Sequence, residues 1–216
     1  MKRVSLIGLI LFCSLYSAMG QGGDQLFQQA SDYVFSARKI SFVMTGRFKG
    51  KEYQNRGFIV ALPERGYLKI EGVSEFQYTP SLISYYDQRN NEIVIQPRKS
   101  TSASLSENPF SILSRSDKGV NVTAPVEKKL GGKAFSVITV TPKGKAYYKT
   151  ADIYVVKASD AGAAGNVKVE RIEVTLKNGG TYTIHITSAG SPEPEKVSDY
   201  QLLPSNYPTA QLTDLR

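Results

Sequence analysis

The chain has 216 residues, 27 of them Lys or Arg against 19 Asp or Glu, with one histidine, one cysteine and no tryptophan. A lone cysteine excludes a disulfide framework or thiolate cluster, and a lone histidine excludes a His-rich metal centre. The formal net charge of +8 is scattered rather than gathered into basic blocks with interleaved aromatics, which argues against a nucleic-acid partner.

At the N-terminus Lys2 and Arg3 precede the apolar run Val4 to Leu15, followed by small residues around Ser17, Ala18 and Gly20. This order of charge, apolar stretch and small residues is that of a secretory signal peptide, and the run falls short of the roughly 20 residues a membrane span needs. Residues 1–20 are therefore expected to be removed, leaving residues 21–216 as one periplasmic domain that begins at Gln21. Cys13 is not expected to be lipidated, because bulky Phe12 precedes it and a cut there leaves a very short apolar core.

From Asp24 to Arg38, Leu26, Ala30, Tyr33 or Val34, and Ala37 recur every three to four residues, predicting an amphipathic helix with Asp24 as its N-cap. From Ile40 the period becomes two. Phe42, Met44, Gly46 and Phe48 alternate with polar or opposite-facing neighbours, a polar turn is predicted around Gly50 to Asn55, and Gly57 to Leu62 reads as the next strand. Pro63-Glu64-Arg65-Gly66 is a tight turn into Tyr67 to Glu71. Further strands are predicted at Glu75 to Tyr78, Leu82 to Tyr86, Ile93 to Gln96, Phe135 to Thr141, Ala151 to Lys157, Val167 to Leu176 and Thr181 to Thr187. Asn178-Gly179-Gly180 supplies a hairpin turn, and Asp160 to Gly165 and Ser191 to Glu195 read as loops. Many short strands between turns predict a mainly β chain whose sheet curls into a barrel or sandwich.

The stretch Lys99 to Ser116 breaks the strand rhythm. Within it, Asn108-Pro109-Phe110-Ser111-Ile112-Leu113 predicts a short helix, with Asn as cap, Pro in the first turn and Phe110, Ile112 and Leu113 mostly on one side. Such a helix in a β chain must cover something apolar. No catalytic constellation stands out: alternation puts His185 on the face opposite Tyr182, Ile184 and Ile186, without ligand or nucleophile company. No enzyme activity, metal or cofactor is therefore expected, although carboxylates from distant strands leave a hydrolase as a third reading.

The order of these parts resembles the periplasmic carrier family of outer-membrane lipoproteins (LolA-like), in its Bacteroidetes-type versions. The resemblance rests on the first helix stepping into Ile40-Ser41-Phe42 and on Tyr85-Tyr86-Asp87 with Asn91-Glu92-Ile93. It rests also on Asn108 to Leu113, on Val140-Thr141-Pro142-Lys143, and on the tail Tyr207 to Arg216 as a terminal strand. It implies a strongly curved antiparallel half-barrel with an N-terminal helix and a short helical lid. The expected cavity lining is Phe42, Met44, Phe58, Val60, Leu68 and Ile70, with Phe110, Ile112 and Leu113 as the lid. It also implies a monomer that binds acylated lipoproteins or a related lipid and passes them from an inner-membrane donor complex to an outer-membrane acceptor. The family's lid-latching arginine precedes a proline at the end of the second strand; that position holds Pro63 here, and Arg65 is the residue expected to take the role. Thr79-Pro80 and Ser84 also stand where the family commonly has Asp-Gly and Trp. A sensor or protein-interaction domain on the same scaffold, with a filled interior, is the alternative.

Overall fold

The period-two alternation that starts near Lys39 builds thirteen strands in the computed structural model, which describes residues 22–48, 50–98, 108–114, 119–157 and 167–216. The expected signal peptide, the polar stretch Lys99 to Glu107 and the loop Asp160 to Gly165 lie outside these residues. Six strands follow one another as a meander: β1 (Lys39–Phe48), β2 (Lys51–Ala61), β3 (Gly66–Ile70), β4 (Ser74–Tyr78), β5 (Leu82–Asp87) and β6 (Glu92–Pro97). A second series comprises β7 (Val120–Val122), β8 (Val126–Leu130), β9 (Lys133–Pro142), β10 (Tyr148–Lys157), β11 (Val167–Leu176) and β12 (Thr181–Gly190). The last strand is β13 (Gln211–Asp214).

All belong to one sheet in the order β13-β6-β5-β4-β3-β2-β1-β12-β11-β10-β9-β7, with β8 also on β9. The two series meet at the seam of β1 against β12. The ends of this order do not meet, so the sheet is an open, curved half-barrel, as expected. One ladder departs from the antiparallel pattern: β13 runs parallel to β6.

Register decides which side chains face inward, because alternate residues of a strand point to opposite faces. Phe42 of β1 sits opposite Gly57 of β2 and Ile186 of β12, Leu68 of β3 opposite Ile59, and Ile184 of β12 opposite Ile172 of β11. These line the concave face. Helix α1 (22–36) lies in that concavity, with Phe27, Ala30 and Val34 buried in the same core. Each fully buried Leu, Ile, Val or Phe contributes about 1.5–3 kcal/mol, so this face carries most of the stabilising burial. Gly57 is needed where it stands, since a Cβ there would come within 2.7 Å of the Phe42 ring and of the Lys69 carbonyl oxygen.

Several expected boundaries move. The predicted turn around Gly50 to Asn55 is mostly strand: Lys51 to Arg56 pair with Val43 to Phe48, and their polarity reflects an exposed hairpin arm. The predicted helix at Asn108 to Leu113 is a single 3-10 turn, Ser111–Leu113. The Asn108 side chain accepts the Phe110 N–H at 2.9 Å, and Ser114 Oγ donates back to the Ser111 carbonyl at 2.6 Å, so the chain is turned at both ends within one helical turn. The loop expected at Ser191 to Glu195 runs into a 3-10 helix, Pro194–Asp199. Strands β7 and β8 are additions to the expected set; β8 is exposed along its whole length and shows no apolar alternation.

Residues 191–216 cross the convex face as a strap. Tyr200 packs on Phe58 and Tyr67, Leu202 N–H donates to Gln77 Oε1 at 2.9 Å, and Tyr207 stacks on Tyr86 at 4.0 Å before β13 reaches the β6 edge. Beneath the strap the buried Glu75 carboxylate accepts the Tyr67 hydroxyl at 2.6 Å, pairs with Lys69 and takes a hydrogen bond from Tyr207. Burial pushes its pKa up, but Lys69 and the two hydroxyls pull it further down, so the net shift is below the usual carboxylate range. Its stabilising contribution is therefore present above the unfolded value of about 4.3 and is lost as pH falls through the lower folded value. An acid titration followed by tyrosine near-UV circular dichroism should show this limb, and Glu75→Gln should flatten it. An unchanged titration in that variant would show that Glu75 does not hold the strap.

Candidate functional site

The concave face is not filled evenly. Around β9 to β12 it is packed by α1 and by the 110–113 turn, whereas over β4, β5 and β6 it opens into a cleft of about 580 Å³. The register explains the lining: Phe76 lies opposite Tyr85, Ser74 opposite Asp87, and Ile83 opposite Gln96, which places all six on one face. Phe76 stacks between Tyr78 and Tyr85, with ring centroids 6.3 and 5.7 Å away, so the floor is an aromatic ladder. Gln88 and Arg89 from the β5–β6 turn complete a polar rim. Burial first, and then the nearby Glu92 and Asp87 carboxylates, raise the Tyr85 pKa, which keeps its hydroxyl an uncharged donor at neutral pH. Asp87 is held by the backbone N–H of Arg89 at 2.9 Å and by the Asn90 amide at 2.9 Å.

The structure divides the residues expected to line a cavity. Phe42, Leu68 and Ile70 are buried on the concave face and Met44 is half-buried against them. Phe58 and Val60 are a correction: they lie on the convex face, clustered with Tyr67 and Tyr200, because Gly57 and Ile59 are the inward residues of β2. Phe110, Ile112 and Leu113 are buried together in the main core, Phe110 meeting Phe42 edge-to-face at 5.6 Å. Arg65 stands at the β2–β3 turn and donates from Nε to the Tyr200 carbonyl at 3.1 Å, so the anchor it provides there is for the strap. The cleft residues Phe76, Ile83 and Tyr85 are not among the expected site residues, although their strands are predicted.

His185 is half-buried on the convex face, between Val43 of β1 and Arg171 of β11. Burial and the Arg171 guanidinium lower its pKa, with Glu173 opposing, so it is neutral at physiological pH. Among the described residues no group of three His, Cys, Asp or Glu could hold a metal ion, and no helix is long and apolar enough to cross a membrane.

No protein-family model matches the sequence, and no curated protein matches it. Solved structures do. An uncharacterized conserved protein from Thermus thermophilus is similar with a TM-score of 0.51 at 14% identity, over 87% of this chain and 98% of that one. LprF from Mycobacterium bovis follows with a TM-score of 0.45 at 15% identity, over 78% and 93% of the two chains. A LolA superfamily protein from Nitrosomonas europaea gives a TM-score of 0.42 at 10% identity, over 84% and 98%. An open, curved, mainly antiparallel sheet holding a helix in its concavity is thus the fold of this chain, a fold it shares with the Thermus thermophilus protein.

Proposed function

We propose that the chain is a periplasmic carrier that binds acyl chains of lipoproteins, or a related lipid, in its concavity and delivers them to the outer membrane. Its leader is removed on export, and it works between an inner-membrane donor and an outer-membrane acceptor without catalytic chemistry. The observation that carries this reading is the aromatic-floored cleft over β4 to β6, whose volume of about 580 Å³ lies within the range of small-molecule sites. An acyl chain leaving a membrane loses about 0.8 kcal/mol for each methylene exposed to water, and an apolar floor of this kind returns part of that. The polar rim suits the head of an amphiphile at the mouth.

The reading is tested by mass spectrometry of lipid retained on the purified chain and by uptake of a fluorescent fatty acid. Ser74 faces the cleft opposite Asp87, so Ser74→Phe should fill part of it. Excluding two methylenes weakens binding by about 1.6 kcal/mol, more than tenfold, while the denaturation midpoint stays close to that of the parent. Absence of retained lipid together with no uptake by the parent chain would reject the carrier. A sensor or interaction domain would then be the better reading, favoured by the packed state of Phe110, Ile112 and Leu113.

A further inference from the structure

The sheet edge at β8 is complementary to itself, and we propose that two copies of the chain associate there, β8 against β8, antiparallel, with the two-fold axis at Lys128. On one side β8 pairs with β9, from Val126 opposite Val137 to Leu130 opposite Lys133. On the other side no strand of the described residues lies against it, and all five residues are exposed, Val126 by 56% and Leu130 by 39%. The hairpin loop is Gly131-Gly132, with φ of 55° and 81°, the two left-handed residues of a two-residue turn. Such a turn is closed by a hydrogen-bonded pair, here Leu130 with Lys133. Alternation then directs the backbone groups of Val126, Lys128 and Leu130 to β9, and those of Glu127 and Lys129 to the free edge.

With the axis at Lys128, Val126 of each copy stands opposite Leu130 of the other, on the convex face that already buries Phe135 and Val137. On the opposite face Glu127 of each copy meets Lys129 of the other, and these two residues exchange the backbone hydrogen bonds. Only Lys128 meets itself. Its Nζ lies 3.2 Å from Asp152 Oδ2 and 5.6 Å over the Tyr154 ring, so its charge is balanced and drawn back onto its own sheet. Lysines on an edge strand ordinarily deter pairing; here every one of them has an acid in reach. Moving the axis to Lys129 would set Leu130 against Lys128 and Lys129 against itself, so the sequence selects one register. The paired segment is short, at the low end of specific interfaces, and association is accordingly weak and concentration-dependent. The cleft over β4 to β6 lies towards the other end of the strand order and is left open.

The test combines sedimentation with cross-linking. In the exported chain, from which Cys13, the only native cysteine, is removed with the leader, Lys128→Cys should form a disulfide-linked dimer under mild oxidation. Directly opposed antiparallel residues outside the hydrogen-bonded pairs have Cα atoms about 4.5 Å apart, within disulfide range. Lys51→Cys on the exposed β1–β2 hairpin serves as the control and should not cross-link. Lys129→Glu should weaken association at least tenfold with an unchanged thermal midpoint, and adding Glu127→Lys should restore it by exchanging the two charges. A chain that stays monomeric throughout the micromolar to millimolar range overturns the proposal. So does cross-linking at Lys128 no better than at Lys51, or a dimer that ignores the charge reversal.

Discussion

Replacing Phe110 with alanine is expected to lower the free energy of unfolding by about 3–5 kcal/mol, the range for removing a fully buried aromatic ring. The ring is among the largest fully buried side chains, sits edge-to-face on Phe42, and belongs to a turn whose Ile112 and Leu113 are buried in the same core. The surrounding backbone has little freedom to collapse into the cavity, because Phe42 is itself wedged against Gly57. Ile112→Asp should cost still more, since it places a carboxylate in the main apolar core. A urea titration with an unchanged slope measures both. A small shift in midpoint together with a large fall in fatty-acid uptake would mean that the 110–113 turn swings out to water as a cover, and would contradict its packed role.

Tyr200→Ala should be nearly as damaging, by about 3 kcal/mol or more on the same scale, for a different reason. Tyr200 fixes the strap: its ring lies against Phe58 and Tyr67, its hydroxyl accepts from Lys39 Nζ at 2.8 Å, and its carbonyl accepts from Arg65 Nε at 3.1 Å. Removing the ring leaves an ammonium without its acceptor and uncovers Val60 on the convex face. Limited proteolysis should then cut within residues 191–216 at protease levels the parent resists, while uptake at the concave cleft is unaffected. Resistance equal to that of the parent would show that the strap is held elsewhere along its length.

The strands are legible in the sequence because alternation is a local signal, written within each segment; alternation alone allows a barrel or a sandwich, and the open half-barrel is implied only by the family resemblance. What is not legible depends on pairs far apart in sequence. Whether Phe58 and Val60 or Gly57 and Ile59 face inward is a question of register with β1, and a shift of one residue exchanges the faces. The aromatic ladder of the cleft needs Phe76 and Tyr85 in register across the β4–β5 turn, and composition alone does not give that. Strand β8 is invisible for the opposite reason: an edge exposed on both faces has no apolar rhythm to read. Glu75 reads as an ordinary strand acid, and its burial comes from Tyr207, more than a hundred positions later in the chain.

The seam between β1 and β12 governs how this architecture can assemble. Ladders within β1 to β6, and within β9 to β12, join strands that are neighbours in the chain, so each half can form by short hairpin closures. The ladder from Lys39 with Gly190 to Arg47 with Thr181 instead ties the start of the domain to its last long strand. The entropy of closing so long a loop grows only with the logarithm of its length, but none of it is recovered until both halves exist. Helix α1 and the 110–113 turn straddle that closure, since their buried residues contact one continuous core drawn from both halves. The packed core of the concavity is therefore a property of the completed chain, whereas the cleft over β4 to β6 is lined by residues of the first half alone.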